Sequence, residues 1–161
     1  MKKKVLVFEP NKCIGCRLCE QYCTMTHYGI TNPSKSRIRI IRNHEKQIDI
    51  AIYCHQCIDP FCVKACDFDA LSVNPKTGAI NVEEHNCVGC RKCINECPFA
   101  VPSIHPNKNI VIICDLCGGS PKCVEICPEN AIQYLEIHKA DNIYKSIYSN
   151  KLADNLIYEE K

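Results

Sequence analysis

CIGCRLCEQYC, running from Cys13 to Cys23, and CVGCRKCINEC, from Cys87 to Cys97, share one spacing, C-x2-C-x2-C-x3-C. Two further stretches, CHQCIDPFCVKAC (Cys54 to Cys66) and CDLCGGSPKCVEIC (Cys114 to Cys127), keep the opening C-x2-C and the closing C-x3-C. They widen the middle gap to four and five residues. All 16 cysteines of the 161-residue chain fall into these four groups of four. Internal repetition of this kind constrains the architecture before any single element is assigned.

The spacing has a chemical reason. A C-x2-C-x2-C loop wraps three thiolates around three corners of one iron–sulfur cube, and leaves the intervening amides free to point at sulfur. The fourth cysteine is expected at the start of a helix facing away, where in two-cluster ferredoxins it ligates the other cluster, so that motifs work in pairs. Four motifs then imply four [4Fe–4S] clusters. Proline after the last cysteine, at Pro98 and Pro128, completes the bacterial ferredoxin pattern. Thr24 and Asp67 stand at the corresponding positions of motifs one and two. Asp67 reads either as a solvated acid at a helix start or as a charge that lowers one cluster's potential. Structural zinc is disfavoured, because its thiolates usually come as two C-x2-C pairs across a longer loop.

Composition agrees that the chain needs internal staples. Four Phe and no Trp leave little to fill a core. The opening MKKKVLVFEP lacks the apolar stretch of about 7–15 residues that a secretory signal requires. No run approaches the roughly 18 apolar residues of a membrane span. The expectation is a cytoplasmic protein, where closely spaced cysteines mean metal rather than disulfides. A net charge of +2 gives no support to nucleic-acid binding.

Between the motifs the pattern is β-rich. KKVLVF at 3–8 predicts a strand. Ile38 and Ile40, then Ile48, Ile50 and Ile52, alternate around a polar NHEK turn and predict a hairpin. LSVNPKTGAINV at 71–82 predicts a second hairpin turning at Pro75 and Gly78, and strands are expected at 109–114 and 131–137. Residues 141–161 carry Ile143, Ile147, Leu152 and Leu156 at helical steps and predict an amphipathic tail helix. The basic run Lys35, Arg37, Arg39, Arg42 and Lys46 is placed on the first hairpin, as a solvated face or a docking surface. His27, His55, His85 and His105 lie near motifs whose ligand positions cysteine already fills, so they are expected at the surface or around a cluster. No dinucleotide glycine fingerprint, P-loop or nucleophile–base constellation is present, so no catalytic residue is assigned.

Over residues 4–138 the chain resembles the four-cluster iron–sulfur subunits of the dimethyl sulfoxide reductase and formate dehydrogenase type. The likeness is carried by the four motifs and the NPKTGAI turn. HYGITNPSKSRIRI, after motif one, is similar to the small subunits of tungsten aldehyde oxidoreductases. The resemblance implies an α+β fold of two nested ferredoxin-like lobes with β-hairpin insertions. The outer lobe would comprise 1–53 and 98–140 (motifs one and four, with a hairpin at about 36–53), the inner lobe 54–97, and the tail helix 141–161. Carried over by position, one cluster takes Cys13, Cys16 and Cys19 with Cys127, and its lobe mate takes Cys114, Cys117 and Cys123 with Cys23. The inner lobe holds Cys54, Cys57 and Cys62 with Cys97, and Cys87, Cys90 and Cys93 with Cys66. Spacing alone leaves open a sequential pairing of one with two and three with four. The family implies a non-catalytic electron-transfer subunit in a hetero-oligomer, between a tungsten or molybdenum catalytic subunit and a ferredoxin or flavin-containing partner. Similar subunits serve carbon monoxide dehydrogenase, formate dehydrogenase, hydrogenase and benzoyl-CoA reductase, and a freestanding polyferredoxin is the remaining alternative.

Overall fold

A computed structural model describes the backbone of residues 4–158 and the side chains of residues 4–149. Its strands form four separate two-stranded antiparallel ladders. β1 (Lys4–Phe8) pairs with β8 (Ile132–Glu136), which joins the two ends of the chain, with Leu6 opposite Tyr134. β2 (Arg39–Asn43) and β3 (Ile48–Ile52) form the first hairpin, and β4 (Leu71–Val73) and β5 (Ile80–Val82) the second. β6 (Ser103–Ile104) pairs with β7 (Val111–Ile112). The strand expected at 109–114 is thus shorter, and its partner β6 is a two-residue element between Pro102 and Pro106 that carries no periodicity to detect.

The helices are α1 (Leu18–Tyr28), α2 (Phe61–Lys64), α3 (Lys92–Asn95), α4 (Lys122–Glu125) and α5 (Ile137–Tyr158). Their placement corrects one expectation. Each motif's third cysteine lies inside a helix, and the fourth lies later in that helix or just past it, not at its start. The geometry explains why: a C-x3-C step in helical conformation advances about 6 Å along the axis, enough to carry the fourth sulfur to a different site from the third. α1 packs on α4, and α2 packs on α3. α5 begins at Ile137, directly after β8, and lies against β1 and β8, with the Tyr144 hydroxyl donating to the Leu6 carbonyl at 3.3 Å. Ile143 and Ile147 are half-buried. The side chains of Leu152 and Leu156 lie outside the described residues.

Two apolar clusters fill the interior. One gathers Leu6, Phe8, Ile38, Ile40, Tyr53, Leu116 and Ile132. The other gathers Leu71, Ile80, Val111 and Ile113, and Cys114 packs against both. Burial of each such large side chain stabilises by about 1.5–3 kcal/mol, so two small cores leave a chain that depends on its cysteine sites.

The first hairpin departs from its sequence pattern. Ile38 and Ile40 are buried as expected. On β3, however, Asp49 and Ala51 face inward, while Ile50 is exposed and Ile48 and Ile52 are half-buried. The basic run is likewise split. Arg39 and Arg42 lie on β2 and Lys46 in the turn. Lys35 closes a 3-10 turn at Pro33–Lys35, and the Arg37 side chain is only 18% exposed, turned inward to Asp115.

Candidate metal centres

The four motifs fold alike at one position. The residue before the second cysteine has positive φ in every case: Gly15 (+68°), Gln56 (+45°), Gly89 (+67°) and Leu116 (+56°). Glycine tolerates this at no steric cost; Gln56 and Leu116 do not, so those two loops are held by their surroundings. The left-handed residue turns its own amide back onto the first sulfur. Gly15, Gln56 and Leu116 each donate N–H to the first cysteine of their motif, Cys13, Cys54 and Cys114. Three motifs also exit through a second positive-φ residue three positions after the last cysteine, at Asp69, Ala100 and Asn130. Motif one, which has Thr24 in place of proline, instead continues as helix to Tyr28. There the Thr24 hydroxyl donates to the Gln21 carbonyl at 2.9 Å.

The loops close around cavities lined by cysteine. One is lined by Cys13, Cys16, Cys19 and Cys127, together with Ile38, Ile40 and Ala51 from the first hairpin. A second is lined by Cys23, Cys114, Cys117 and Cys123. A third is lined by Cys66, Cys87, Cys90 and Cys93. Cys54 and Cys62 interact electrostatically with each other and with Cys57 and Cys97. In each group, therefore, the last cysteine of one motif meets the first three of another.

All sixteen thiols are free. Burial, followed by repulsion from neighbouring sulfurs, pushes Cys54 and Cys93 up to about 11 and Cys123 up to about 12. Four thiolates gathered this closely do not coexist without a positive core between them, which is the donor chemistry that an iron–sulfur cube satisfies. Backbone amides add to the fit. Arg37 N–H points at Cys23 Sγ (3.4 Å), Val111 N–H at Cys87 Sγ (3.4 Å) and Ala131 N–H at Cys127 Sγ (3.2 Å).

Cys23 is the exception among the shifted thiols. Burial alone would raise it, but hydrogen bonds from His27 and the Arg37 amide leave it lowered. His27 sits one helical turn on, with Nδ1–H donating to the Cys23 carbonyl at 2.7 Å and Nε2 at 3.0 Å from Asp115 Oδ1. The Asp115 contact, with help from Cys23, raises His27 to about 9. Arg37 closes the set at 2.6 Å from Asp115 Oδ2, and Asp115 Oδ1 also accepts the Cys117 amide at 2.9 Å. His27, Asp115 and Cys117 lie close enough to share a metal ion, but this carboxylate is already engaged by two cations. The latch ties α1 to the motif-four loop. Spacing gave no hint of it, since His27 and Asp115 are 88 residues apart.

Asp67 pairs with Lys92, and both are more than half exposed. This places it as a solvated acid. Among the other histidines, His85 is exposed, His55 stacks between Tyr53 and Phe99, and His105 is buried at 4% exposure.

The chain is similar to known proteins along most of its length. Residues 47–137 match the 4Fe-4S dicluster domain, and the chain belongs to that family. It is 47% identical over 149 residues to the "aliphatic sulfonate oxidoreductase, polyferredoxin-like subunit" of Pyrococcus furiosus, covering 92% of this chain and 84% of that one. It is 36% identical to the putative electron transport protein YsaA of Escherichia coli, covering 84% and 92% respectively. Among solved structures, a chain of the benzoyl coenzyme A reductase BamBC active-site complex with zinc matches over 95% of this chain and 96% of its own. The TM-score is 0.51 at 24% identity, a likeness of fold. Among the described residues no helix is long and apolar enough to cross a membrane.

Proposed function

We propose that this member of the 4Fe-4S dicluster family is a cytoplasmic electron-transfer subunit holding four [4Fe–4S] clusters. The sites are Cys13, Cys16, Cys19 and Cys127; Cys23, Cys114, Cys117 and Cys123; Cys54, Cys57, Cys62 and Cys97; and Cys66, Cys87, Cys90 and Cys93. The observation that carries this reading is the convergence of each motif's last cysteine with the first three of another. It favours two nested lobes over sequential pairing of the motifs. Bound clusters would supply one-electron transfer at each site.

Electrostatic contacts between motifs support a row of sites. Cys19 interacts with Cys123, Cys114 with Cys54, and Cys62 with Cys93. The order therefore runs from the Cys13 site through the Cys23 and Cys54 sites to the Cys66 site. Such a row has two ends and suits a relay between two partners. One partner is a catalytic oxidoreductase subunit, which the name of the Pyrococcus furiosus relative supports. The HYGITNPSKSRIRI stretch favours a tungsten or molybdenum aldehyde oxidoreductase, and the other partner is a ferredoxin or a flavin protein.

Anaerobic purification from the native cell tests the proposal. About 16 Fe per chain, four reducible clusters and a co-purifying large redox subunit are expected. Iron near half that value would sink the four-cluster assignment, and a stable lone monomer would sink the subunit assignment.

A further inference from the structure

Resting on the cluster assignment above, we propose that Glu20 and Asp49 make the terminal site of Cys13, Cys16, Cys19 and Cys127 the lowest in reduction potential of the four. Among the described residues the two buried carboxylates, Glu20 at 4% and Asp49 at 5% exposure, both lie behind this one site, Asp49 against Gly15 and Glu20 against Ile40.

Asp49 takes the inward face of β3 that the sequence pattern would give to Ile48, Ile50 and Ile52. It shares the inner face of β3 with Ala51, which lines the Cys13 cavity. Its carboxylate presses on the motif-one loop: a Cβ built on Gly15 would fall 2.4 Å from Asp49 Oδ2. Its cross-strand partner is Arg42, whose guanidinium stands 3.8 Å away and is 53% exposed. The negative end of the pair is thus buried at the site, while the positive end is solvated and screened. Glu20 approaches from α1. It is adjacent to Cys19 in sequence, and its Oε1 accepts the amide of Ile40, another residue of the cavity wall, at 2.5 Å.

Local sequence rules fail where function demands it, and a buried carboxylate packed behind a cluster loop is such a failure. Negative charge buried behind the cluster loop opposes the arrival of an electron, which lowers the potential. The Cys23 site beside it has the opposite surroundings, with Arg37 and His27 against one half-buried carboxylate. A relay whose end site is its lowest passes electrons from that end into the other three.

The test is an EPR-monitored redox titration of the full, anaerobically loaded protein, with Cys16→Ser used to mark the spectrum of the Cys13 site. That site should titrate last in the wild type. Asp49→Asn and Glu20→Gln, which keep shape and hydrogen-bond acceptors, should each raise it. The expected change is about tenfold in its reduction equilibrium, equal to about 59 mV for one electron, with the other three unmoved. Arg42→Gln, an exposed change that spares the fold, should lower the same site by a smaller, salt-sensitive amount. A purely structural role for these residues would leave the potentials in place. A marked site that is not the lowest, or that stays still in all three variants, overturns the inference. Iron well below about 16 per chain overturns the cluster assignment itself, and this inference with it.

Discussion

Asp115→Asn removes a charge from the centre of the latch while keeping an oxygen for the Cys117 amide. In the wild-type fold Asp115 pairs with His27 at 3.0 Å and Arg37 at 2.6 Å, and, with help from Cys23, lifts His27 from 6.5 to about 9. At 1.36 kcal/mol per pH unit that is about 3 kcal/mol of stability, reduced to about 2 kcal/mol because Asp115 is 35% exposed and screened. The folded state binds this proton more tightly than the unfolded chain does. The stabilisation is therefore full below pH 6.5 and is lost as pH rises through about 9. Unfolding of a loaded cluster protein is irreversible, so the quantity to measure is the unfolding half-life in anaerobic guanidinium, followed by bleaching of the cluster absorption. At pH 7 the variant should unfold up to about thirtyfold faster than wild type. By pH 9.5 the ratio should fall to a few-fold, which is the share of the Arg37 pair and does not titrate in this window. A wild-type to variant ratio that stays constant from about pH 6.5 to 9.5 would refute the latch as drawn.

Two further outcomes are expected. Gly15→Ala and Gly89→Ala each combine positive φ (+68° and +67°) with a Cβ 2.4 Å from Asp49 Oδ2 and Asn109 Oδ1 respectively, so each should lose its own cluster and about a quarter of the iron. Gly118→Ala, at +70° but with open space around it, should cost only about 1 kcal/mol and keep full iron; equal iron loss in all three would show that sterics at the loop are not the cause. Asp67→Asn should leave every cluster potential in place, because the Asp67–Lys92 pair is solvated and carries no net charge. A shift of one potential in a redox titration would restore Asp67 as a tuning residue.

The metal-binding character of the chain was legible from the start because cluster ligation is written in short-range spacing. Four cysteine quartets need no partner elsewhere to be recognised. The hairpins at 39–52 and 71–82 were equally readable, from alternation and turn residues. Less was visible where contacts cross the chain. Helix onset misled because C-x3-C says nothing about which end of a helix carries the step. β6 is too short to have a period. Gln56 and Leu116 adopt left-handed geometry against their own preference, which only packing can impose.

What the sequence by itself determined is the sixteen thiols, their grouping into four motifs, and the strands that lead into and out of each loop. Tertiary structure decided which fourth cysteine meets which three, through the pairing of β1 with β8 and the packing of α1 on α4 and α2 on α3. It also decided the charges at each site, turning Asp49 inward and Ile50 outward on the same strand, and joining His27 to Asp115 across 88 residues. The physical reason is range. Ligand spacing acts over a few bonds and survives in any fold, whereas burial and electrostatics act through space and exist only once distant segments are brought together.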